Sequence, residues 1–230
     1  MANAIVVRPA VLNTRSTPHP RAVPAARSRH GTAGVSFAIM LPRLIRIDDT
    51  QPQPWRNGGG IRRDLLEGPA GGDWLWRVSV ADITADGPFS AYPDTERWFA
   101  IVRGVGVDLR FDTRVQRVAR NGPPLKFDGG DAPHCRLVEG SACALNLMLR
   151  AGAHGSMGVA TDATPWHPKS AECGLLTAVD GRCKADDHET EVPAHALLWF
   201  DHAPRTLAFV GGQRRGATLG WWICVSPDET

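Results

Sequence analysis

The stretch "VGVDLRFD", Val105–Asp112, decides the fold class. Val105, Val107, Leu109 and Phe111 fall on one side of a two-residue period, and Asp108, Arg110 and Asp112 on the other. Strict apolar/polar alternation marks a half-buried β-strand, because successive side chains of a strand point to opposite faces. "WLWRVSVA", Trp74–Ala81, repeats the pattern: Trp74, Trp76, Val78 and Val80 share one face, and Leu75, Arg77, Ser79 and Ala81 the other. "RWFAIVRG", "CALNLMLR", "HALLWFD", "TLAFVGG" and "GWWICVS" also read as strands. Asp86-Gly87-Pro88, Asn121-Gly122-Pro123-Pro124, Asp128-Gly129-Gly130 and Asp180-Gly181 supply turns between such runs. No long amphipathic helix stands out, although short helical turns fit near Tyr92–Arg97 and Thr164–Ser170. The polar stretch Ala151–Glu172 reads as a link between two halves. Many short strands with regular turns define an all-β sandwich or barrel of the jelly-roll kind.

The composition agrees. The 230 residues suffice for one large β domain or two small units sharing a core. The chain carries 24 Gly and 18 Pro, which favours turns over long helices. Eight Trp against one Tyr supply bulk for a barrel interior. The formal charge of +2 is unevenly spread, since Arg8, Arg15, Arg21, Arg27 and Arg29 precede Met40 and the first acid is Asp48. Removing those five charges leaves residues 40–230 at about −3, so the folded part has no basic balance that would argue for nucleic acid. Residues 1–39 are basic, acid-free and lack a long apolar run, unlike a secretory signal. They read as a disordered extension, or as upstream sequence with Met40 the natural start. Five cysteines, an odd number without a CxxC pair, fit a reduced, cytoplasmic protein, and Cys143 and Cys224 sit in apolar runs that read as core. No run of about 20 apolar residues suggests a membrane span.

"PWRNGGG", Pro54–Gly60, is the first candidate for chemistry. It lacks the spacing of a Walker or dinucleotide loop, and no βαβ unit surrounds it. Consecutive glycines serve a tight corner, but a corner does not require Arg56 or Asn57. Arg77 and Ser79 share a strand face, where a guanidinium and a hydroxyl could hold a carboxylate. The same pattern also fits a solvent-facing strand surface. Arg97 precedes a strand and, taken alone, reads as a surface ion pair with Glu96 or Asp94. His134, His154, His167, His188, His195 and His202 are scattered without His-x-His or HExxH, so no metal or other cofactor is expected. Neither a GxSxG elbow nor an inviting cysteine supports a nucleophile.

Three ordered motifs resemble the HutD/Ves family. The first is Arg43-Leu44-Ile45-Arg46-Ile47-Asp48 followed by Pro54–Gly60. The second comprises Trp76, Arg77, Ser79, Ala81, Asp86, Gly87, Pro88, Phe89, Ser90, Pro93 and Arg97. The third is Phe127–Pro133 followed by Leu145–Arg150. The resemblance is close over residues 41–152 and looser beyond. It implies a cupin-like double β-barrel, a bicupin, over residues 40–230, with approximate halves 40–150 and 151–230 and without the cupin metal ligands. It also implies a link to histidine utilisation, with binding of a small acidic intermediate such as urocanate, formiminoglutamate or formylglutamate, and a related branch, Ves, described as stress-induced. The chain departs from the family pattern at Arg56, Arg62, Asp64, Asp94 and Glu96, where Lys, Thr, Glu, Gly and Asp are expected.

The expected ligand-binding set is Trp55, Arg56, Asn57, Gly58, Gly59, Gly60, Arg77, Ser79, Ser90 and Arg97. The arginines supply charge, Trp55 an apolar wall, and the remaining residues orienting groups. The expected partner is a small carboxylate, with no nucleic acid and no membrane, in a possible homodimer. Two rival readings are a metal-independent cupin enzyme using Asp64, Asp82 or Asp86 as acid or base, and an interaction protein with an exposed Trp or sheet edge.

Overall fold

The computed structural model describes residues 41–55, 58–162, 164–211 and 216–227. In chain order the strands are β1 (Arg43–Arg46), β2 (Gln53–Pro54), β3 (Gly60–Gly68), β4 (Trp76–Ile83), β5 (Gly87–Pro88) and β6 (Thr95–Arg103). Next come β7 (Gly106–Arg110), β8 (Val115–Ala119), β9 (Leu125–Asp128), β10 (His134–Val138), β11 (Ala142–Arg150) and β12 (Ala153–Thr161). The last six are β13 (Glu172–Thr177), β14 (Gly181–Ala185), β15 (His188–Val192), β16 (Ala196–Phe200), β17 (Leu207–Gly211) and β18 (Thr218–Pro227).

These strands form four sheets. A six-stranded sheet runs β2-β3-β4-β11-β6-β9, and a four-stranded sheet runs β5-β10-β7-β8. A five-stranded sheet runs β1-β16-β13-β18-β12, and a three-stranded sheet β15-β14-β17. Three apolar clusters separate them. One, with Phe89, Phe99, Leu109, Phe127 and Cys135, lies between the four- and six-stranded sheets. The second unites Trp76, Val78, Val80, Leu145 and Leu147 of the six-stranded sheet with Leu176, Leu197, Trp199, Trp221 and Ile223 of the five-stranded one. The third, with Leu175, Cys183, Leu198, Phe209 and Trp222, lies under the three-stranded sheet. The two large sheets therefore sit back to back, with a smaller sheet over each outer face. Trp76 and Trp199 stack across the central layer at 5.2 Å between ring centroids. β1 pairs with β16, so the second sheet pair takes its edge strand from the beginning of the described region.

The protein is all-β, jelly-roll and cupin-like. None of the four sheets closes on itself by hydrogen bonds, so in place of the expected double β-barrel the strands form two open sheet pairs. Alternation holds along β7, where Val107 and Leu109 are buried and Arg110 is exposed. Val105 differs: it is 45% exposed because it precedes the strand at a turn begun by Gly104 (φ 91°). Trp74 and Leu75 also precede their strand, and Leu75 joins the central core against expectation. The stretch 92–97 enters β6 rather than a helical turn, and 164–170 holds an isolated bridge from Trp166 to Leu207. The stretch 151–172 is no mere link, because β12 pairs with β18 along its whole length.

Trp199 is fully buried between the large sheets, and truncating a buried Trp removes both transfer energy and packing. Trp199→Ala is expected to lower unfolding free energy by about 3–5 kcal/mol in urea denaturation. A loss below about 1 kcal/mol would show that the sheets do not depend on this contact.

Candidate functional site

The six-stranded sheet turns its second face toward the four-stranded sheet. Along β4, Trp76, Val78 and Val80 enter the central core, and Arg77, Ser79 and Ala81 therefore point the opposite way. Antiparallel register sets Arg77 opposite Met148 on β11, and Met148 opposite Arg97 on β6. The next inward-facing row is Ser79, Asn146 and Phe99. Arg77 and Arg97 thus stand two strands apart, about 10 Å between Cα atoms, on either side of a methionine.

Above this floor lies a cavity of about 620 Å³, within the usual range for small-ligand sites. Gln53, Pro54 and Trp55 form one wall and Pro88–Tyr92 another. Arg62, Arg77, Ser79, Ala81, Arg97, Asn146 and Met148 complete it.

The electrostatics are unbalanced. Arg97 is 8% exposed, and its Nε and Nη2 both donate to Asn146 Oδ1, at 3.0 and 2.7 Å. Phe89, Phe127 and Phe99 surround its guanidinium at 4.8, 5.4 and 5.9 Å. No ion pair to Arg97 occurs among the described residues. Burial lowers its pKa to about 10; the charge of Arg77 acts in the same direction and Tyr92 opposes it. Arg77, 6% exposed, has Asp64 Oδ1 at 3.7 Å from its Nε, and its Nη2 donates weakly to Met148 Sδ at 3.7 Å. Asp64 also lies 3.0 Å from Arg62 Nε, and Gln53 links the two side chains. Arg77 Nε and Asp64 Oδ1 are buried with no well-aligned hydrogen bond among the described residues. Three guanidiniums therefore line this cavity, and Asp64, behind its lining, contacts those of Arg62 and Arg77 but not that of Arg97.

Of the expected set, Trp55, Arg77, Ser79, Ser90 and Arg97 line the cavity, with Ser90 at its exposed mouth. Arg56 and Asn57 lie outside the described residues. Gly58, Gly59 and Gly60 do not line it. They build the β2–β3 hairpin instead: Gly58 donates to the Trp55 carbonyl at 3.1 Å, and Trp55 to the Gly60 carbonyl at 2.9 Å. Gly58 has φ 72°, and a Cβ at Gly60 would collide with the Asp82 carbonyl and press on the Trp55 ring. Arg97 is a buried cavity residue rather than a surface ion pair, and Glu96 pairs with Lys126 instead, at 2.6 Å. Sequence reasoning passed over Asn146, Met148, Tyr92 and Phe89 as site residues. Asn146 did leave a signal, a polar residue amid the leucines of "CALNLMLR".

Other candidate chemistry falls away from the cavity. Asp82 pairs with Arg63 and Arg103 on the opposite sheet face. Asp86 accepts from the Leu137 amide at 2.8 Å, as a turn residue does. Asp64 alone of the three candidate acids reaches the cavity arginines. Burial raises Cys135, Cys143, Cys173 and Cys183 to about 12, so these four thiols stay protonated at neutral pH. Among the described residues, no three His, Cys, Asp or Glu side chains group as a metal-ligand set.

Fold and cavity together define a cupin-like jelly-roll protein with a cationic, aromatic-walled pocket in its first sheet pair. The chain belongs to the HutD family, whose model matches residues 47–216. It is 34% identical over 110 residues to an uncharacterised 21.2 kDa protein of Pseudomonas putida from the hutC 3' region, spanning 46% of this chain and 57% of that relative. It is 26% identical over 179 residues to the protein Ves of Escherichia fergusonii, spanning 76% of this chain and 92% of the relative. The solved HutD structure from Pseudomonas fluorescens SBW25 shares the fold with a TM-score of 0.70 at 20% identity, covering 82% of this chain and all of that one.

Asn146 supplies the anion-like oxygen that Arg97 grips. Asn146→Leu removes that acceptor from a buried cation and is expected to cost about 1.5–3 kcal/mol in urea denaturation. An unchanged midpoint would show that Arg97 finds another acceptor.

Proposed function

We propose that this protein binds a small carboxylate without chemically transforming it, and so senses or buffers an acidic intermediate of histidine degradation. The observation that carries the reading is Arg97, a buried guanidinium in a cavity wall with no carboxylate paired to it among the described residues. Burying an uncompensated charge is costly, and a ligand carboxylate would offset that cost with short charge-assisted hydrogen bonds. Arg77, whose buried Nε has no aligned acceptor among the described residues, offers a second anchor. Trp55, Phe89 and Tyr92 offer apolar walls for the rest of the ligand. The P. putida relative, by its name, lies beside hutC, which supports urocanate, formiminoglutamate and formylglutamate as the ligands to try.

Titration calorimetry with these three compounds tests the reading. At least one is expected to bind and to raise the melting temperature, and silence from all three at millimolar concentration removes this ligand class. Arg97→Met is expected to abolish binding while leaving the melting temperature equal or higher, because it removes a buried charge. A folded-state pKa near 10, below the ordinary guanidinium range, means that folding disfavours the charged form. That cost is full below the folded value and fades as pH rises from there into the ordinary guanidinium range. A large drop in melting temperature in this variant would instead mark Arg97 as a structural residue.

The pH dependence follows the same sign. Arg97 stays cationic from about pH 6 to about pH 9, so affinity there should change only as the ligand itself titrates. Near pH 10 a bound carboxylate raises the pKa of Arg97, and binding should take up a proton, read as buffer-dependent heat. Buffer-independent heat at that pH would show that the carboxylate does not sit at Arg97.

A further inference from the structure

Trp74 lies two residues before the first residue of the strand that carries Arg77, and it is not among the residues that line the cavity. Its ring nevertheless holds two guanidiniums, Arg77 Cζ at 4.4 Å and Arg150 Cζ at 3.9 Å from the centroid. Arg150 also donates from Nη1 to the Trp74 carbonyl at 3.3 Å, and its amide donates to the Leu75 carbonyl at 2.8 Å. This end of the strand is therefore tied to the end of β11. Arg77, by contrast, has few directional partners. Among the described residues its Nε is buried without a hydrogen bond, Asp64 stands 3.7 Å away, and its Nη2 donates to the Met148 sulfur at 3.7 Å. The Tyr92 ring lies 5.9 Å from its Cζ. A guanidinium packed by its flat face on a ring keeps its N–H edge free, and that edge is what pairs two-fold with a carboxylate.

We propose that Trp74 is a positioning residue. Its ring, clamped by Arg150, fixes the face of Arg77 and so presents the N–H edge of Arg77 to a carboxylate in the cavity. This inference rests on the carboxylate-binding reading above. The ring stands in for the hydrogen bonds that would usually hold a buried arginine, and it does so without consuming the donors a ligand needs.

The test compares Trp74→Leu, which keeps apolar bulk, with Trp74→Phe, which keeps a ring, using formylglutamate and urocanate as probes. Trp74→Leu is expected to raise the Kd about tenfold, and Trp74→Phe by no more than about threefold. A ligand-free readout accompanies this: the Arg77 Nε–Hε resonance, assigned by its loss in Arg77→Lys. Trp74→Leu should abolish its ring-current shift and speed its exchange with water, and Trp74→Phe should retain most of both. If wild type and Arg77→Ala differ in affinity but Trp74→Leu matches wild type, the inference is overturned and carboxylate binding stands. If wild type binds neither probe nor formiminoglutamate, the carboxylate reading falls, and the resonance alone decides whether Trp74 holds Arg77. An unmoved resonance in Trp74→Leu overturns the inference in either case.

Discussion

The structure depends on one constraint: the six-stranded sheet is covered on both faces. Its β4, β11 and β6 strands send one set of side chains to the five-stranded sheet and the other to the four-stranded sheet. A sheet buried on both sides tolerates polar groups only where partners await them. Ser79, Arg77, Arg97 and Asn146 are nevertheless buried in it, all on the same face. The opposite face carries the apolar cluster joined by the Trp76–Trp199 stack, and also the Asp82 ion pairs to Arg63 and Arg103. One face therefore holds the molecule together, and the other is free to hold charge.

That freedom is used in a particular way. Asp64 partly neutralises Arg62 and Arg77, while Asn146 offers Arg97 only a dipole. Aromatic faces then take the place of counter-ions: three phenylalanines about Arg97, and Trp74 with Tyr92 about Arg77. Rings stabilise a guanidinium without occupying its N–H groups. These arginines are thus packed by rings more than neutralised by carboxylates, an arrangement that costs stability.

The second sheet pair shows the alternative outcome of the same architecture. Between the five- and three-stranded sheets, Trp166 stacks on Trp222 at 4.9 Å and 6°, and a mutual pair of backbone hydrogen bonds ties it to Leu207. The cluster around it consists of apolar residues and the thiols Cys173, Cys183 and Cys224. Indole fills that space, whereas arginine and a cavity occupy the corresponding layer of the first pair. The abundance of Trp noted in the composition is thus spent mostly on packing.

Much of this was legible along the chain. The period of two in "VGVDLRFD" and "WRVSVADI" fixes strands locally, because side-chain direction follows from backbone geometry alone. The same period placed Arg77 and Ser79 on one face. The glycines of "GGG" signalled a tight corner, and the hairpin they form is set by φ and close backbone approach. Taken alone, Arg97 reads as a surface ion pair, yet among the described residues its acidic neighbours in sequence, Asp94 and Glu96, do not pair with it; the family resemblance, not the local pattern, put it in the expected site. Asn146, its actual partner, lies 49 residues away, and Met148 lies 71 residues from Arg77. Such contacts follow from strand order and register, which non-local pairing decides. The sequence by itself determined that this is an all-β protein with a strand face bearing Arg77 and Ser79. Tertiary structure decided that this face is a cavity floor rather than an open surface, because the four-stranded sheet packed over it buries Arg77 and Arg97.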